Sequence, residues 1–245
     1  MAWICMLPAL FAQNGELPHN KRISWLSYNA DHPAGSRWSV HFDGSYRPMY
    51  GTVWRQWMVR PGANWRSGER WQLSLTYSYF SVHPKGLADP NGAAGEHRLH
   101  QQVEYSHPWR SNTIRHRFRL EERHLSSPWK EGVPRTWNWQ DRPRYMLRMD
   151  RPLRRNGNQR EPLTLTLYEE ALFSFASPAA SAFEQNRIYT GVTWRTGRHW
   201  AVDAGVLYQT FKPQNGGRLE HNFIFVTLLR NQAPLKNLFG WLRRL

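Results

Sequence analysis

Polar and apolar residues alternate along most of this chain with a period of two. In Arg37–Tyr46, Trp38, Val40, Phe42, Gly44 and Tyr46 fall on one face, and Arg37, Ser39, His41, Asp43 and Ser45 on the other. Trp71–Phe80 repeats the pattern, with Trp71, Leu73, Leu75, Tyr77 and Tyr79 on one side. So do Leu163, Leu165 and Leu167 against Thr164, Thr166 and Tyr168. Further on, Trp200, Val202, Ala204, Val206 and Tyr208 alternate with Ala201, Asp203, Gly205, Leu207 and Gln209. A period of two is the signature of strands with two unlike faces.

Eleven segments read as strands, over about 22–29, 37–47, 52–61, 70–82, 96–106, 112–124, 143–151, 162–175, 186–196, 199–211 and 219–229. No long helical pattern interrupts them, so a single antiparallel up-and-down sheet is the simplest topology. The connections alternate between short (106–112, 196–199) and long (82–96, 124–143, 175–186). Short turns at one end and long loops at the other are the pattern of an outer-membrane β-barrel. Such barrels carry an even number of strands. The expected fold is therefore an all-β closed barrel of ten strands, if the first segment stays outside, or of twelve, if one more exists.

Composition narrows the setting. Fourteen Trp, ten Tyr and eleven Phe in 245 residues are too many rings for a disordered chain. No apolar run approaches the roughly 18–20 residues of a spanning helix. The aromatics fall near strand ends, as in Trp38, Tyr46, Trp71, Trp194, Trp200 and Tyr208, which suits an interfacial girdle. In a soluble exported barrel binding an apolar ligand, the same rings would fill the core and the polar faces would lie outside. The apolar rows that include Trp38, Val40, Phe42, Leu163, Leu165 and Leu167 are expected to point outward instead.

The balance of 33 Lys plus Arg against 18 Asp plus Glu gives a net charge of +15, and only five of the cations are lysine. Arginine binds phosphate and carboxylate through two parallel hydrogen bonds. The implied partners are outer-membrane lipids, lipopolysaccharide phosphates among them. Nucleic acid is excluded by a strand count about twice that of an oligonucleotide-binding barrel. Cys5 is the one cysteine, so disulfide frameworks and cysteine metal sites are excluded.

The two ends of the chain differ from the middle. Met1–Ala12 (MAWICMLPALFA) reads as the remnant of a secretory signal, with the mature chain starting near Gln13; an apolar strand or helix is the alternative. Residues 231–245 (NQAPLKNLFGWLRRL) read as a short amphipathic helix, with Leu235, Leu238, Phe239, Leu242 and Leu245 as its stripe. The barrel is thus expected over residues 13–230.

One strand carries unusual charge. In Thr113–His124 (TIRHRFRLEERH), Arg115, Arg117, Arg119, Glu121 and Arg123 share a face, and Ile114, Phe118 and Leu120 share the other. Four cations on one side require carboxylates from neighbouring strands. Glu121, Glu104 and either Glu169 or Glu170 are the candidates, with Asn186 filling remaining positions. Glu96, at the edge of the 82–96 loop, is read as lying outside this network.

This segment, Arg115-His-Arg-Phe-Arg-Leu-Glu-Glu-Arg123, is similar to the Arg-x-Arg-x-Glu-x-Arg core of the DUF2490 family of predicted outer-membrane β-barrels. The resemblance extends to Trp25-Leu-Ser-Tyr, His97–Tyr105, Glu169–Phe173 (EEALF) and Phe183–Arg187 (FEQNR). It covers roughly residues 25–229 and departs at Glu169, where the family more often has Asn, and in the tail. It implies a barrel in the bacterial outer membrane and no reaction. The residues it singles out are Arg117, Arg119, Glu121, Arg123, Glu170, Asn186 and Arg187, as a structural lumen network or an anion site.

Catalytic patterns are weak. Ser39 with His41, Ser81 with His83 and Ser106 with His107 are serine–histidine pairs of the kind a barrel lipid hydrolase uses, but no orienting acid accompanies them. His97 and His100 fall on opposite strand faces, so with Glu96 they make a poor metal set. No phosphate-binding or dinucleotide motif is present, and no cofactor is implied. The expected role is non-enzymatic: structural, binding or small permeation.

Overall fold

In the computed structural model, which describes residues 22–154, 163–175, 183–212 and 219–235, eleven strands close into one barrel. They are β1 (Arg22–Pro33), β2 (Trp38–Pro48), β3 (Arg55–Ser67), β4 (Trp71–His83), β5 (Ala94–Trp109) and β6 (Asn112–Ser126). Then follow β7 (Trp137–Arg154), β8 (Leu163–Phe173), β9 (Phe183–Arg195), β10 (Trp200–Phe211) and β11 (Glu220–Asn231). Each strand pairs antiparallel with the next, and β1 closes on β11.

The count is neither ten nor twelve. A ring in which every neighbour runs antiparallel must contain an even number of strands. Eleven close because β1 and β11 run parallel, from Arg22 opposite Phe223 to Ala30 opposite Asn231. The even-number expectation fails at that one seam.

Alternation is inverted relative to a soluble protein. Trp38, Val40, Phe42, Leu73, Leu75, Phe118, Leu167, Ile188, Phe223 and Phe225 are exposed on the outer surface. Asp43, Asn64, Thr76, Glu96, Arg98, His100, Glu121, Arg123, Arg142, Glu170 and Asp203 are buried inside. The apolar rows therefore point outward as expected. Leu163 and Leu165 share the outward parity of Leu167 and are half-buried.

The loop asymmetry also appears. One rim carries the short connections 34–37, 68–70, 110–111 and 196–199, interrupted by 155–162 between β7 and β8. The opposite rim carries 49–54, 84–93, 127–136, 174–182 and 212–219. The signal-like segment 1–12 lies outside the described residues. So do residues 236–245, most of the segment read as a C-terminal helix.

Part of the interior is apolar. Ile23, Met49, Trp54, Val82, Tyr189, Leu207 and Ile224 form a buried cluster, with Trp25, Tyr168 and Val226 packed against it. Tyr189 lies flat across Gly191 and Gly205 and stacks on Tyr168 at 4.8 Å between ring centroids. A Cβ at Gly205 would sit 2.6 Å from the Tyr189 hydroxyl, so only glycine accommodates the ring there.

Candidate functional site

The remaining interior is a network of guanidinium and carboxylate groups contributed by β4 to β9. Cross-strand register builds it. His100 of β5 opposes Glu121 of β6, and Glu121 opposes Arg142 of β7. Arg119 opposes Arg144, Met146 opposes Glu170 of β8, and Glu170 opposes Arg187 of β9. Opposed residues in a ladder share a face, so one inward row per strand stacks these groups into contact.

Glu121 is the hub and is 0% exposed. Its Oε2 accepts from Arg142 Nε at 2.7 Å and Nη2 at 2.5 Å. Its Oε1 accepts from Arg144 Nη1. Arg119 and Arg98 stand further off, at 3.8 and 3.9 Å. Glu170 accepts from Arg117 at 2.7 Å, from Arg144 Nη2 at 2.6 Å and from Arg187 at 3.4 Å. Glu96 accepts from Arg98 and from Arg123, each Nε at 2.5 Å. Glu184 receives Arg142 Nη1 at 2.8 Å. Seven arginines thus converge on four carboxylates. The cationic excess is spread by stacking: Arg98 lies 3.6 Å from the Phe80 ring centroid, and Arg187 lies 5.4 Å from that of Trp25.

Arg117, Arg119, Glu121, Arg123, Glu170 and Arg187 meet inside. Arg115 sits at its margin, more exposed, 3.7 Å from Glu104 and 3.5 Å from Asp150. Glu169 and Asn186 do not belong to it. They share the outward face, where Asn186 Nδ2 donates to Glu169 at 2.9 Å. Glu96 is the opposite correction, a buried member of the network and no part of a loop. Arg142 and Arg144 were missing from the sequence reading, as were Arg98 and Glu184. The signal for Arg142 and Arg144 is the row Gln140, Arg142, Arg144, Met146, Arg148 and Asp150, which is legible once β7 begins at Trp137.

A serine–histidine–carboxylate line runs through the network. Ser78 Oγ lies 2.8 Å from His100 Nε2, and His100 Nδ1 lies 3.3 Å from Glu121 Oε1, out of line for a hydrogen bond. Ser78 and Glu121 are fully buried, and the carboxylate is already held by two arginines.

The other pairs fare differently. Ser81 Oγ lies 2.8 Å from His83 Nε2. His41 Nδ1 lies 2.8 Å from Asp31, while Ser39 Oγ accepts from Asn64 instead. Ser106 points inward opposite Arg115, whereas His107 points outward. Among the described residues no group of three or more His, Cys, Asp or Glu is arranged to hold a metal ion.

No curated protein and no solved structure matches the chain. The model of a family described as protein of unknown function (DUF2490) matches residues 23–220. That span takes in every residue of the ionic network, from β1 to the first residue of β11. The chain belongs to the DUF2490 family.

Proposed function

We propose that this protein is an outer-membrane β-barrel whose interior is closed by its own ion pairs, and whose role is structural or binding and non-enzymatic. The observation that carries the reading is the inverted polarity. Large apolar side chains cover the outer wall while guanidinium and carboxylate groups fill the inside. In water this arrangement would expose a broad apolar surface that soluble monomers avoid. In a bilayer it is the favourable one, because charged groups within the membrane face inward and pair. The sealed network supports a closed interior over permeation, since Glu121, Glu96 and Glu170 stand across the lumen almost without exposure.

The test is fractionation of the native host followed by a gel run with and without boiling. The expected result is recovery in the outer-membrane fraction with a mobility shift on heating. Recovery in the soluble fraction with unchanged mobility overturns the proposal.

A further inference from the structure

The short-turn rim has a composition the closed interior does not use. The hairpin between β3 and β4 is flanked by Trp65-Arg66 and Arg70-Trp71. Arg37-Trp38 opens β2, Trp109-Arg110 ends β5, Trp194-Arg195 ends β9, and Trp200 opens β10. Strand alternation brings all of these to one end of the barrel. The tryptophans face outward: Trp38 pairs with Trp65 across β2 and β3, and Trp71 with Tyr105 across β4 and β5. Trp38, Trp71, Trp109, Trp194 and Trp200 are all exposed on the outer wall. Arg37, Arg66, Arg70, Arg110 and Arg195 are each the sequence neighbour of one of these rings and are exposed. Arg66 and Arg195, still within β3 and β9, take the inward parity opposite Gln72 and Ala201. Arg37, Arg70 and Arg110 stand in the connections beyond the strand ends, and Arg110 lies 5.5 Å from the Trp109 ring centroid.

The opposite rim differs. Its exposed Lys85, Lys130, Arg135 and Lys212 lie on a rim that also carries Asp89, Glu131 and Glu220. Among the described residues of the short connections, Glu69 is the one carboxylate. One arginine holds its place against local preference. Arg110 begins the two-residue turn between β5 and β6 with φ 54°, a position that favours Gly, Asn or Asp.

We propose that this rim is a collar that binds the phosphates of anionic glycerophospholipids in a bilayer leaflet; the inference rests on the membrane reading above. Tryptophan settles at the level of the headgroups, with its ring toward the acyl chains and its N–H toward water. An arginine one residue toward the rim then stands at the level of the lipid phosphate. Its planar fork donates two parallel hydrogen bonds to phosphate oxygens. A ring of such pairs holds the barrel at fixed depth and favours anionic lipid around its short-turn end.

The test uses the full chain in phosphatidylcholine vesicles doped with dibrominated phosphatidylglycerol or dibrominated phosphatidylcholine, which quench tryptophan on contact. Surface attraction of a basic residue to anionic lipid gives about fivefold in association per cation. The wild type is expected to prefer the phosphatidylglycerol by at least about fivefold. The triple variant Arg37→Gln, Arg70→Gln, Arg110→Gln is expected to fall to near parity. The triple variant Lys85→Gln, Arg135→Gln, Lys212→Gln, with the same charge loss at the other rim, keeps the preference. Should the first variant fail to fold, the wild type at about 1 M salt, where screening acts within about 3 Å, must lose the preference by itself. Insertion with equal quenching by both lipids overturns the collar and leaves the membrane reading standing. Absence of insertion and of quenching by either lipid overturns both. Loss of the preference on adding millimolar inorganic phosphate makes the rim a free-anion site and also overturns the proposal.

Discussion

Arg142 holds Glu121 through two nitrogens, Nε at 2.7 Å and Nη2 at 2.5 Å, directly across the ladder between β6 and β7. The same arginine reaches Glu184 with its remaining fork arm. Removing the carboxylate therefore strands several buried cations at once. Loss of one partner from a buried pair costs about 3–5 kcal/mol. Glu121→Gln is expected to lower the thermal midpoint in detergent, read as the temperature of the gel shift, by on the order of 10 °C. Glu69→Gln, in an exposed turn, is the matched control. Equal effects of the two substitutions would show the row to be solvated and not paired.

Asp203 and Arg230 form a more isolated pair between β10 and β11. Here both charges can be removed together. Asp203→Leu and Arg230→Met should each destabilise more than the two combined, because the double change leaves no orphaned charge. A double-mutant cycle from unfolding midpoints gives the coupling directly. A double variant as unstable as the sum of the singles contradicts the pairing.

Ser78 bonds to His100 with both side chains buried. Ser78→Ala leaves a buried imidazole nitrogen without a partner, a loss of about 1–3 kcal/mol. Release of fatty acid from phospholipid micelles should be the same in wild type and variant. Hydrolysis by the wild type that disappears in Ser78→Ala would make the protein a lipid hydrolase.

Tyr189 lies on Gly191 and Gly205, and the three form a packed unit inside β9 and β10. Gly205→Ala drives a methyl into the ring and is expected to cost about 1–3 kcal/mol. Adding Tyr189→Ala to it should restore part of the loss by opening the space. A Gly205→Ala protein with an unchanged midpoint would mean that the ring does not rest there.

The seam between β1 and β11 is the parallel pair in an otherwise antiparallel wall. Parallel pairing is somewhat less stable per residue. Amides of β1 and β11 should exchange hydrogen sooner than those of β5, β6 and β7. Uniform protection around the barrel is the contrary outcome.

Much of this was legible in the alternation alone. The rows of Trp38, Val40 and Phe42, and of Arg115 to Arg123, already assigned both faces of the wall. The same parity placed Glu169 with Leu163, Leu165 and Leu167, and Asn186 with Ile188, Thr190 and Val192. Neighbours in a strand point apart, so this parity decides between Glu169 and Glu170 and turns Asn186 away from Arg187. Arg142 escaped because Pro143 follows it and a proline reads as a strand boundary; here it sits within β7, opposite Leu120. Period two marks eleven segments, the number observed, but it carries no sign of how the ring closes, which depends on the first and last strands finding one another in the same direction.

That odd count has a directional consequence. A chain that crosses a wall an even number of times returns to the side it came from; this one does not. It enters β1 at the long-loop rim and leaves β11 at the short-turn rim. The barrel is thus a through-connection: Arg22 and Asn231 lie at opposite rims, and in a bilayer these two residues would open onto opposite faces.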